Sequence, residues 1–231
     1  MMTEAGRPPA YQALADELRA DITSGRLRPG QRLPAEPELC ARAGVSRSTV
    51  REALRLLASQ HLVVTTRGVT GGSFVAQPDA GKLSDSLAVG MTMLRSAAMV
   101  GLADLVEVRE VLEAPIAELA AARRTEDDLV ALREALFDPA DAGVEEMVRA
   151  HAEFHGALAA ATGNPLFELV TRPLYQLLNG DELGDAAPAS YWRQIDADHR
   201  ELLAKVEAGD GPGAAEVSRR HLRYVGENMP C

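Results

Sequence analysis

Cysteine is scarce in this chain of 231 residues, which has only Cys40 and Cys231. Two cysteines so far apart cannot form a disulfide framework, and this fits a reducing compartment. No apolar run approaches the length of a membrane span, and the residues around Arg7-Pro8-Pro9 lack the apolar core of an export signal. We therefore expect a cytoplasmic protein that does not enter the membrane.

Positive charge is scarce overall, because the formal net charge is −10. The charge is distributed unevenly between the two halves of the chain. Residues 1–77 carry ten Arg against seven acidic residues, a balance of +3, whereas residues 78–231 carry 14 basic and 27 acidic residues, a balance of −13. Only the first part is therefore suited to nucleic acid, and the length allows two domains.

A helix-turn-helix pattern occupies residues 30–57. A short helical pattern ends at Gly44, and Ser46 is suited to cap a second helix because its hydroxyl can accept a backbone N–H. Arg47 and Arg51 lie four residues apart near the start of that helix, where a recognition helix meets base edges. The apolar positions of the second helix are Val50, Leu54 and Leu57.

The polar residues of the second helix match the chemistry of DNA. The guanidinium groups of Arg47 and Arg51 can pair with guanine O6 and N7, whereas Ser48 and Thr49 are short donors suited to phosphate oxygens. The alternative is an ordinary solvated amphipathic helix, so the flanking sequence must decide.

β-prone runs at residues 62–67 and 73–76 predict a hairpin, with Gly71 and Gly72 in the segment between them. These glycines would let the backbone approach DNA phosphates or the minor groove. An apolar stripe in residues 11–22 predicts a packing helix upstream. Three helices and a hairpin make a winged helix-turn-helix domain, which we expect over residues 1–77, followed by a linker at 78–82.

The string SGRLRPGQRLPAEPELCARAGVSRSTVREALRLLASQHLV resembles the N-terminal domain of the GntR family of bacterial transcription regulators. The resemblance implies that a homodimer binds a double-stranded DNA operator. Two positions depart from the family pattern. Pro37 replaces an Arg that helps to hold the DNA backbone, and His61 replaces a Gly. Since His tolerates left-handed backbone angles, we expect His61 at a helix end and not in a ligand site.

The second half is helical almost throughout, which predicts an all-α antiparallel bundle of six to seven helices over residues 83–231. The expected helices are 83–95, 102–123, 126–137, 144–161, 165–178, 190–208 and 214–227.

Four of the five His residues lie in this half, and each can contribute to one metal site. His151 and His155 are four apart on one predicted helix, while His199 and His221 fall on two others. Facing helices of a bundle can bring such side chains together, and imidazole suits Zn, Ni, Cu or Fe. By itself HxxxH is more often a solvated pair, but the other two His residues favour a site.

The strings DLVEVREVLE, HAEFHGALAAATGN and DHRELLAKVEAGDGPGAAEVSRRH resemble the FCD ligand-binding domain of the FadR-type branch of the GntR family. That resemblance implies a divalent metal bound by Asp and three His residues, here His155, His199 and His221. His151 stands at the Asp position. Replacing an anionic oxygen ligand with imidazole lowers the expected affinity for Mn or Mg and retains that for Zn or Ni.

Arg109 aligns with an Arg that often lies beside the metal in this family, where it can meet the carboxylate of a small organic acid. The alternative is an intrahelical pair with Glu113 or Glu110. Asn164 matches the family's GN pair and is a second residue expected to bind the effector, although it could instead cap a helix.

Three functions are compatible with these features. The leading one is a metabolite-responsive regulator, expected to be a repressor, that binds an inverted-repeat operator as a homodimer. The second is a metal-dependent enzyme with an accessory DNA-binding domain. In HAEFH, however, Ala152 stands at the Glu position of the zinc-protease motif HExxH, and Glu153 is turned about 100° away. The third is a structural dimerisation module without metal or ligand.

Overall fold

The computed structural model describes residues 8–68, 71–178 and 187–228. The chain divides into two compact units, and the boundary in the sequence lies between Asp79 and Ala80. The described elements of the first unit are helices α1 (Ala10–Thr23), α2 (Glu36–Ala43) and α3 (Arg47–Ser59) and strands β1 (Val63–Thr66) and β2 (Gly72–Val75). This order confirms the predicted winged helix-turn-helix fold.

The turn between α2 and α3 forms as the sequence predicts. Gly44 ends α2 in the left-handed conformation, with φ of +65°. Ser46 caps α3, and its Oγ accepts the backbone N–H of Thr49 at 3.2 Å. At the other end of α3, His61 has φ of +58°, which confirms that it lies at a helix end. The apolar face of α3 consists of Val50, Ala53, Leu54 and Leu57 and packs into the core of this unit. Its partners in that core include Leu14, Leu18, Leu33, Leu39, Val63 and Val75.

The wing is an antiparallel hairpin in which Val63 lies opposite Val75. The chain before α2 runs beside β2, because the Leu33 N–H donates to Ser73 O at 2.8 Å and the Val75 N–H donates to Gln31 O at 2.8 Å. Gly71 is required by the turn itself, since a Cβ there would lie 2.6 Å from the carbonyl oxygen of Thr66.

The second unit is an all-α bundle, as predicted. Its described helices are α4 (Ala80–Ser96), α5 (Leu102–Arg123), α6 (Glu126–Glu134), α7 (Val144–Ala161), α8 (Pro165–Leu178), α9 (Ala189–Ala208) and α10 (Gly211–Asn228). Because α4 begins at Ala80, the last three residues of the expected linker 78–82 are helical. Ala80 and Lys82 favour helix, and Gly81 in the first turn does not prevent it.

Besides the start of α4, two helix ends differ from the prediction by three residues. Helix α6 ends at Glu134 instead of 137, because Phe137 leaves the helix and packs edge-on against Trp192 with ring centroids 6.0 Å apart. Helix α10 begins at Gly211 instead of 214, where Gly211 lies close to Glu118 of α5.

Helix α5 lies at the centre of the bundle and packs against α7, α8, α9 and α10. Its buried face is rich in small residues, which allows neighbouring backbones to approach closely. The buried alanines of α5 are Ala114, Ala117, Ala120 and Ala121. Among the described residues, no helix is long and apolar enough to cross a membrane.

Removal of the α3 cap provides a test of the helix-turn-helix geometry. Ser46→Ala leaves the Thr49 N–H without its side-chain acceptor, so the free energy of opening of α3 should fall by about 1 kcal/mol. Hydrogen exchange of the α3 amides, followed by mass spectrometry, measures this change. Ser59→Ala is the matched control, because Ser59 Oγ bonds only to the Leu56 carbonyl. Equal effects of the two substitutions would contradict the capping role.

Candidate metal centre

The four predicted His residues converge in the interior of the bundle. His151 and His155 project from successive turns of α7, while His199 comes from α9 and His221 from α10. All four side chains are buried, and the most exposed, His151, retains 7% of its accessible surface. A solvated pair of histidines on one helix is therefore excluded.

The imidazole nitrogens are close enough to share one ion. One ligand nitrogen from each ring lies within 4.8 Å of all the others. His151 Nδ1 is 3.2 Å from His199 Nε2, and His155 Nε2 is 3.3 Å from His221 Nε2. Nitrogen ligands of tetrahedral zinc are separated by about 3.4 Å, given metal–nitrogen distances of about 2.0–2.1 Å. The two closest pairs already have this spacing.

Burial keeps most of these imidazoles neutral. Burial, reinforced by the neighbouring rings, holds the pKa of both His151 and His199 well below its ordinary value. Burial also lowers the pKa of His155 to about 4, even though the carboxylate of Glu113 acts in the opposite direction. Neutral imidazole is the form that binds metals, so the site needs little deprotonation near pH 7.

Two buried carboxylates orient two of the rings. Glu113 Oε2 lies 2.7 Å from His155 Nδ1, and Asp198 Oδ2 lies 3.4 Å from His221 Nδ1. If each Nδ1–H donates to its carboxylate, both Nε2 atoms present lone pairs to each other at 3.3 Å. Two facing lone pairs repel, and a cation between them removes the repulsion.

The role of these carboxylates as partners of the histidines was not predicted from the sequence. From the sequence, Glu113 is expected only as a pairing partner of Arg109, and Asp198 occurs only within a string that resembles the family. The available signal was weak. Glu113 lies one helical turn beyond Arg109, and Asp198 directly precedes His199, but neither spacing shows which His donates to the carboxylate.

Arg109 is fully buried beside the imidazoles. Its Nε and Nη2 donate to Glu113, and its guanidinium carbon lies 5.2 Å from the ring centroid of Tyr175. The intrahelical pair considered from sequence therefore exists. Burial alone would raise the pKa of Glu113, but Arg109 and His155 lower it to about 2. The pair is consequently ionised.

One nitrogen of Arg109 remains available. Its Nη1 is buried and has no hydrogen-bond partner in the described part of the chain, and the same is true of His199 Nδ1. A buried donor without an acceptor is costly, so the Nη1 position is suited to a carboxylate oxygen.

Asn164, by contrast, is accounted for as a helix cap. It precedes α8, and its Oδ1 accepts the backbone N–H of Leu166 at 3.1 Å. This is the second of the two roles considered from sequence, and it leaves the expected role in effector binding without structural support.

The predicted DNA-binding residues lie at the start of α3 and in the wing. Arg47 and Arg51 are exposed, and Arg51 Nε contacts both carboxylate oxygens of Glu36, at 3.1 and 3.2 Å. Ser46 Oγ lies 2.7 Å from Ser48 Oγ and 2.9 Å from Thr49 Oγ1, so both hydroxyls belong to the cap of α3.

In the wing, Gly71 and Gly72 lie at the end of the hairpin turn, next to Arg32. Arg32 Nη2 donates to the Gly71 carbonyl at 2.6 Å, and a Cβ on Gly72 would lie 2.9 Å from Arg32 Nε. The backbone of the turn therefore explains Gly71 independently of any contact with DNA, whereas Gly72 borders only the flexible end of the Arg32 side chain.

Glu153, the acid within the HAEFH string, lies on the outer face of α7. Its carboxylate is 3.9 Å from Arg149, and both side chains are exposed. It cannot polarise a water held by the buried imidazoles.

Two family models match the chain. The model described as "Bacterial regulatory proteins, gntR family" matches residues 10–75, and the FCD domain model matches residues 104–224. No part of the His cluster lies outside the second match.

Curated relatives match nearly the whole chain. The Uxu operon transcriptional regulator of Escherichia coli (strain K12) is 28% identical, over 98% of this chain and 88% of that protein. LutR, an HTH-type transcriptional regulator of Bacillus subtilis (strain 168), is 30% identical, over 88% of this chain and 94% of that protein. The Glc operon transcriptional activator of E. coli (strain K12) is 28% identical, over 96% and 90% of the two chains.

A solved structure has the same fold. Streptococcus agalactiae GntR matches with a TM-score of 0.65 and 25% identity, covering 94% of this chain and 99% of that one. The chain therefore belongs to the GntR family of bacterial regulatory proteins, in the branch with an FCD domain, and is a DNA-binding transcriptional regulator and not an enzyme.

Proposed function

We propose that this regulator is a cytoplasmic, metabolite-responsive repressor that binds a short inverted-repeat operator as a homodimer. In this proposal a divalent metal in the four-His site helps to hold a small organic acid in the bundle. Repression is the simplest action for such a chain, because occupation of an operator is enough to block transcription. The observation that carries the proposal is the pair of facing imidazole nitrogens beside a buried arginine.

The metal would be held by His151, His155, His199 and His221. Four imidazoles without an anionic oxygen ligand favour zinc or nickel over manganese or magnesium. Glu113 and Asp198 hold two of the rings with Nε2 directed into the site, as outer partners of metal-binding histidines commonly do. When bound, the metal would supply an electrophilic centre for a carboxylate oxygen.

The effector would be a small carboxylate. Arg109 offers its buried Nη1, and its charge cannot be removed because the neighbouring Glu113 helps to keep its pKa high despite the effect of burial. A guanidinium nitrogen and a metal would together contact both oxygens of one carboxylate. The buried position restricts the ligand to a small molecule.

DNA recognition would rest on the first unit. Arg47 and Arg51 would contact bases from the N-terminal end of α3, and the ion pair of Arg51 with Glu36 would restrain the side chain of Arg51. Ser48, Thr49 and the wing residues Gly71 and Gly72 would contact the backbone through hydroxyl or peptide groups. The positive balance of residues 1–77 supports this role.

The recognition helix can be tested with operator DNA selected from a random pool. Arg47→Ala or Arg51→Ala should weaken specific binding by roughly 1–3 kcal/mol, because each removes a bidentate base contact. Arg55→Ala is the control, since Arg55 lies one turn further along α3 and pairs with Glu52. Titrations are read by fluorescence anisotropy at fixed salt. Unchanged affinity in both variants would refute the assignment.

The metal site is tested by elemental analysis of the purified protein. His155→Ala and His221→Ala should abolish bound zinc or nickel and lower the melting temperature of the loaded protein, because a metal that binds only the folded state stabilises it. His61→Ala, which alters the one histidine outside the cluster, should retain full metal content. Wild-type metal content in all three variants would contradict the site.

Metal selectivity is a second test of the same four residues. His151→Asp introduces an anionic oxygen ligand at the position where the family usually has one. Competition titrations should show manganese binding strengthened relative to zinc. An unchanged ratio would show that position 151 does not contact the metal.

Coupling between the site and DNA is tested by calorimetry with a panel of short-chain carboxylates. A ligand that changes operator affinity must have its own affinity changed by the same factor, typically about 5–150-fold. Arg109→Lys keeps the buried charge beside Glu113 but removes the guanidinium fork, so it should weaken ligand binding while the metal remains. Equal ligand affinity with and without DNA would refute the switch, and normal binding by the variant would refute the role of Arg109.

A further inference from the structure

A groove lies between α7 and α8, and its volume is about 510 Å³. The α7 side includes Val148, Ala152 and Gly156, which are four residues apart and therefore lie on one face of that helix. The α8 side includes Glu168, Thr171 and Tyr175. The groove therefore follows the outer surface of the helix that carries His151 and His155.

Small residues of α7 leave the groove open. Ala152 and Gly156 lie one turn apart on its α7 side. A Cβ at Gly156 would meet no described atom within 4 Å, so packing within the chain does not require glycine there. A glycine inside a helix destabilises it relative to alanine. At this position the absence of a side chain keeps the groove clear.

Tyr175 separates the groove from the buried site. Its side chain lines the groove, yet only 4% of it is exposed. On the inner side, its ring centroid lies 5.2 Å from the guanidinium carbon of Arg109 and 5.4 Å from the ring centroid of His155. The Tyr175 ring therefore stands between the groove and the groups proposed to bind metal and effector.

Ring contacts, and not a hydrogen bond, hold Tyr175 in this position. Its hydroxyl is buried and has no hydrogen-bond partner among the described residues. Thr171 lies one turn earlier on α8, but its hydroxyl donates to Phe167 O at 2.7 Å. Because a buried hydroxyl without a partner is costly, rotation of the ring into the groove would be favoured by hydration of that hydroxyl.

Helix α8 is weakened beside Tyr175. Pro173 lies inside this helix, two residues before Tyr175, and has no N–H to donate to the carbonyl of Leu169. Helix α7, on the other side of the groove, has no proline. A local change in backbone therefore costs less in α8 than in α7, so the wall that carries Tyr175 is the one suited to move.

We propose that the groove between α7 and α8 is the route from solvent to the four-His site, and that the Tyr175 ring is its gate. This proposal rests on the proposed function and identifies how the same site is loaded. The groove is lined by charges of both signs, with Arg149 and Arg172 on one hand and Glu145 and Glu168 on the other. Its charge therefore excludes neither a cation nor a small carboxylate.

Zinc exchange by the full chain tests the gate. The background protein carries Cys40→Ser and Cys231→Ser, which remove thiols that also bind zinc. In this background Tyr175→Ala should speed both zinc uptake and zinc release to an excess of a coloured chelator by at least about tenfold. The equilibrium affinity should change by less than about threefold, because a gate affects both directions equally. Tyr175→Phe keeps the ring and should exchange no faster than the background protein.

A purely structural role for Tyr175 predicts a different result. Loss of packing against His155 would speed zinc release but not zinc uptake. That outcome would overturn the gate. Thermal melting of each variant checks that it remains folded.

A label in the groove tests the route without altering Tyr175. Gly156→Cys in the same background, modified with a bulky maleimide, should slow zinc uptake and release by at least about tenfold. Val130→Cys on α6 is the control, because Val130 is 48% exposed and does not line the groove. Its label should leave both rates unchanged. This readout stands if Tyr175→Ala fails to fold.

The outcomes separate the route from the site. Normal zinc affinity, with exchange rates that respond neither to Tyr175→Ala nor to the label at position 156, would overturn only the route. A wild type that takes up neither zinc nor nickel would overturn the metal in the proposed function and the route with it.

Discussion

The ion pair between Arg109 and Glu113 is the interaction on which the interior of the bundle depends. Both residues are buried on α5, and Glu113 also accepts from His155 of α7. Loss of one partner from a buried pair typically costs about 3–5 kcal/mol, because the other charge is left without compensation. The Glu113 carboxylate thus links the charge of Arg109 to the orientation of the His155 imidazole on another helix. A change at Arg109 or at Glu113 therefore affects the other residue of the pair.

The surrounding packing makes this polar interior possible. The alanines of α5 let α9 and α10 approach it, and Gly226 of α10 lies so close that a Cβ there would be 3.1 Å from a methyl group of Val106. Close helices bring His199 and His221 toward His155, and all three rings are shielded from solvent. The same exclusion of water lowers the pKa of the imidazoles and strengthens each charged contact. Metal ligation and effector binding would both use the neutral imidazoles and the buried charges that this packing produces.

Local signals in the sequence predicted much of this structure. Gly44 permits the left-handed backbone conformation before α3, and Ser46 caps that helix. Both effects act between residues that are close in the sequence, so they can be predicted from it. The helices of the bundle follow from apolar periodicity, and the four His residues were grouped by their helical positions together with the family resemblance.

Tertiary contacts were not predictable in this way. The contact of Asp198 with His221 depends on how α9 and α10 are rotated, and the early end of α6 depends on where Phe137 finds a partner. Gly71 was expected to serve DNA contact, whereas the tight turn of the wing requires it in any case.

The charge of the interior explains why an anion suits the proposed site. Arg109 contributes one positive charge, and Glu113 and Asp198 contribute two negative charges. Arg220 pairs with Asp198 at 3.1 Å but also with Glu201 at 2.7 Å, so Arg220 and Glu201 cancel. The imidazoles contribute little because most are neutral. A divalent cation bound there would leave the interior with one excess positive charge. An Asp at position 151 would cancel that charge, but His151 does not. Uncompensated charge in a buried site is unfavourable, and a single carboxylate would neutralise it. The histidine that departs from the family pattern therefore couples the proposed metal to the proposed ligand, since each makes the interior a better environment for the other.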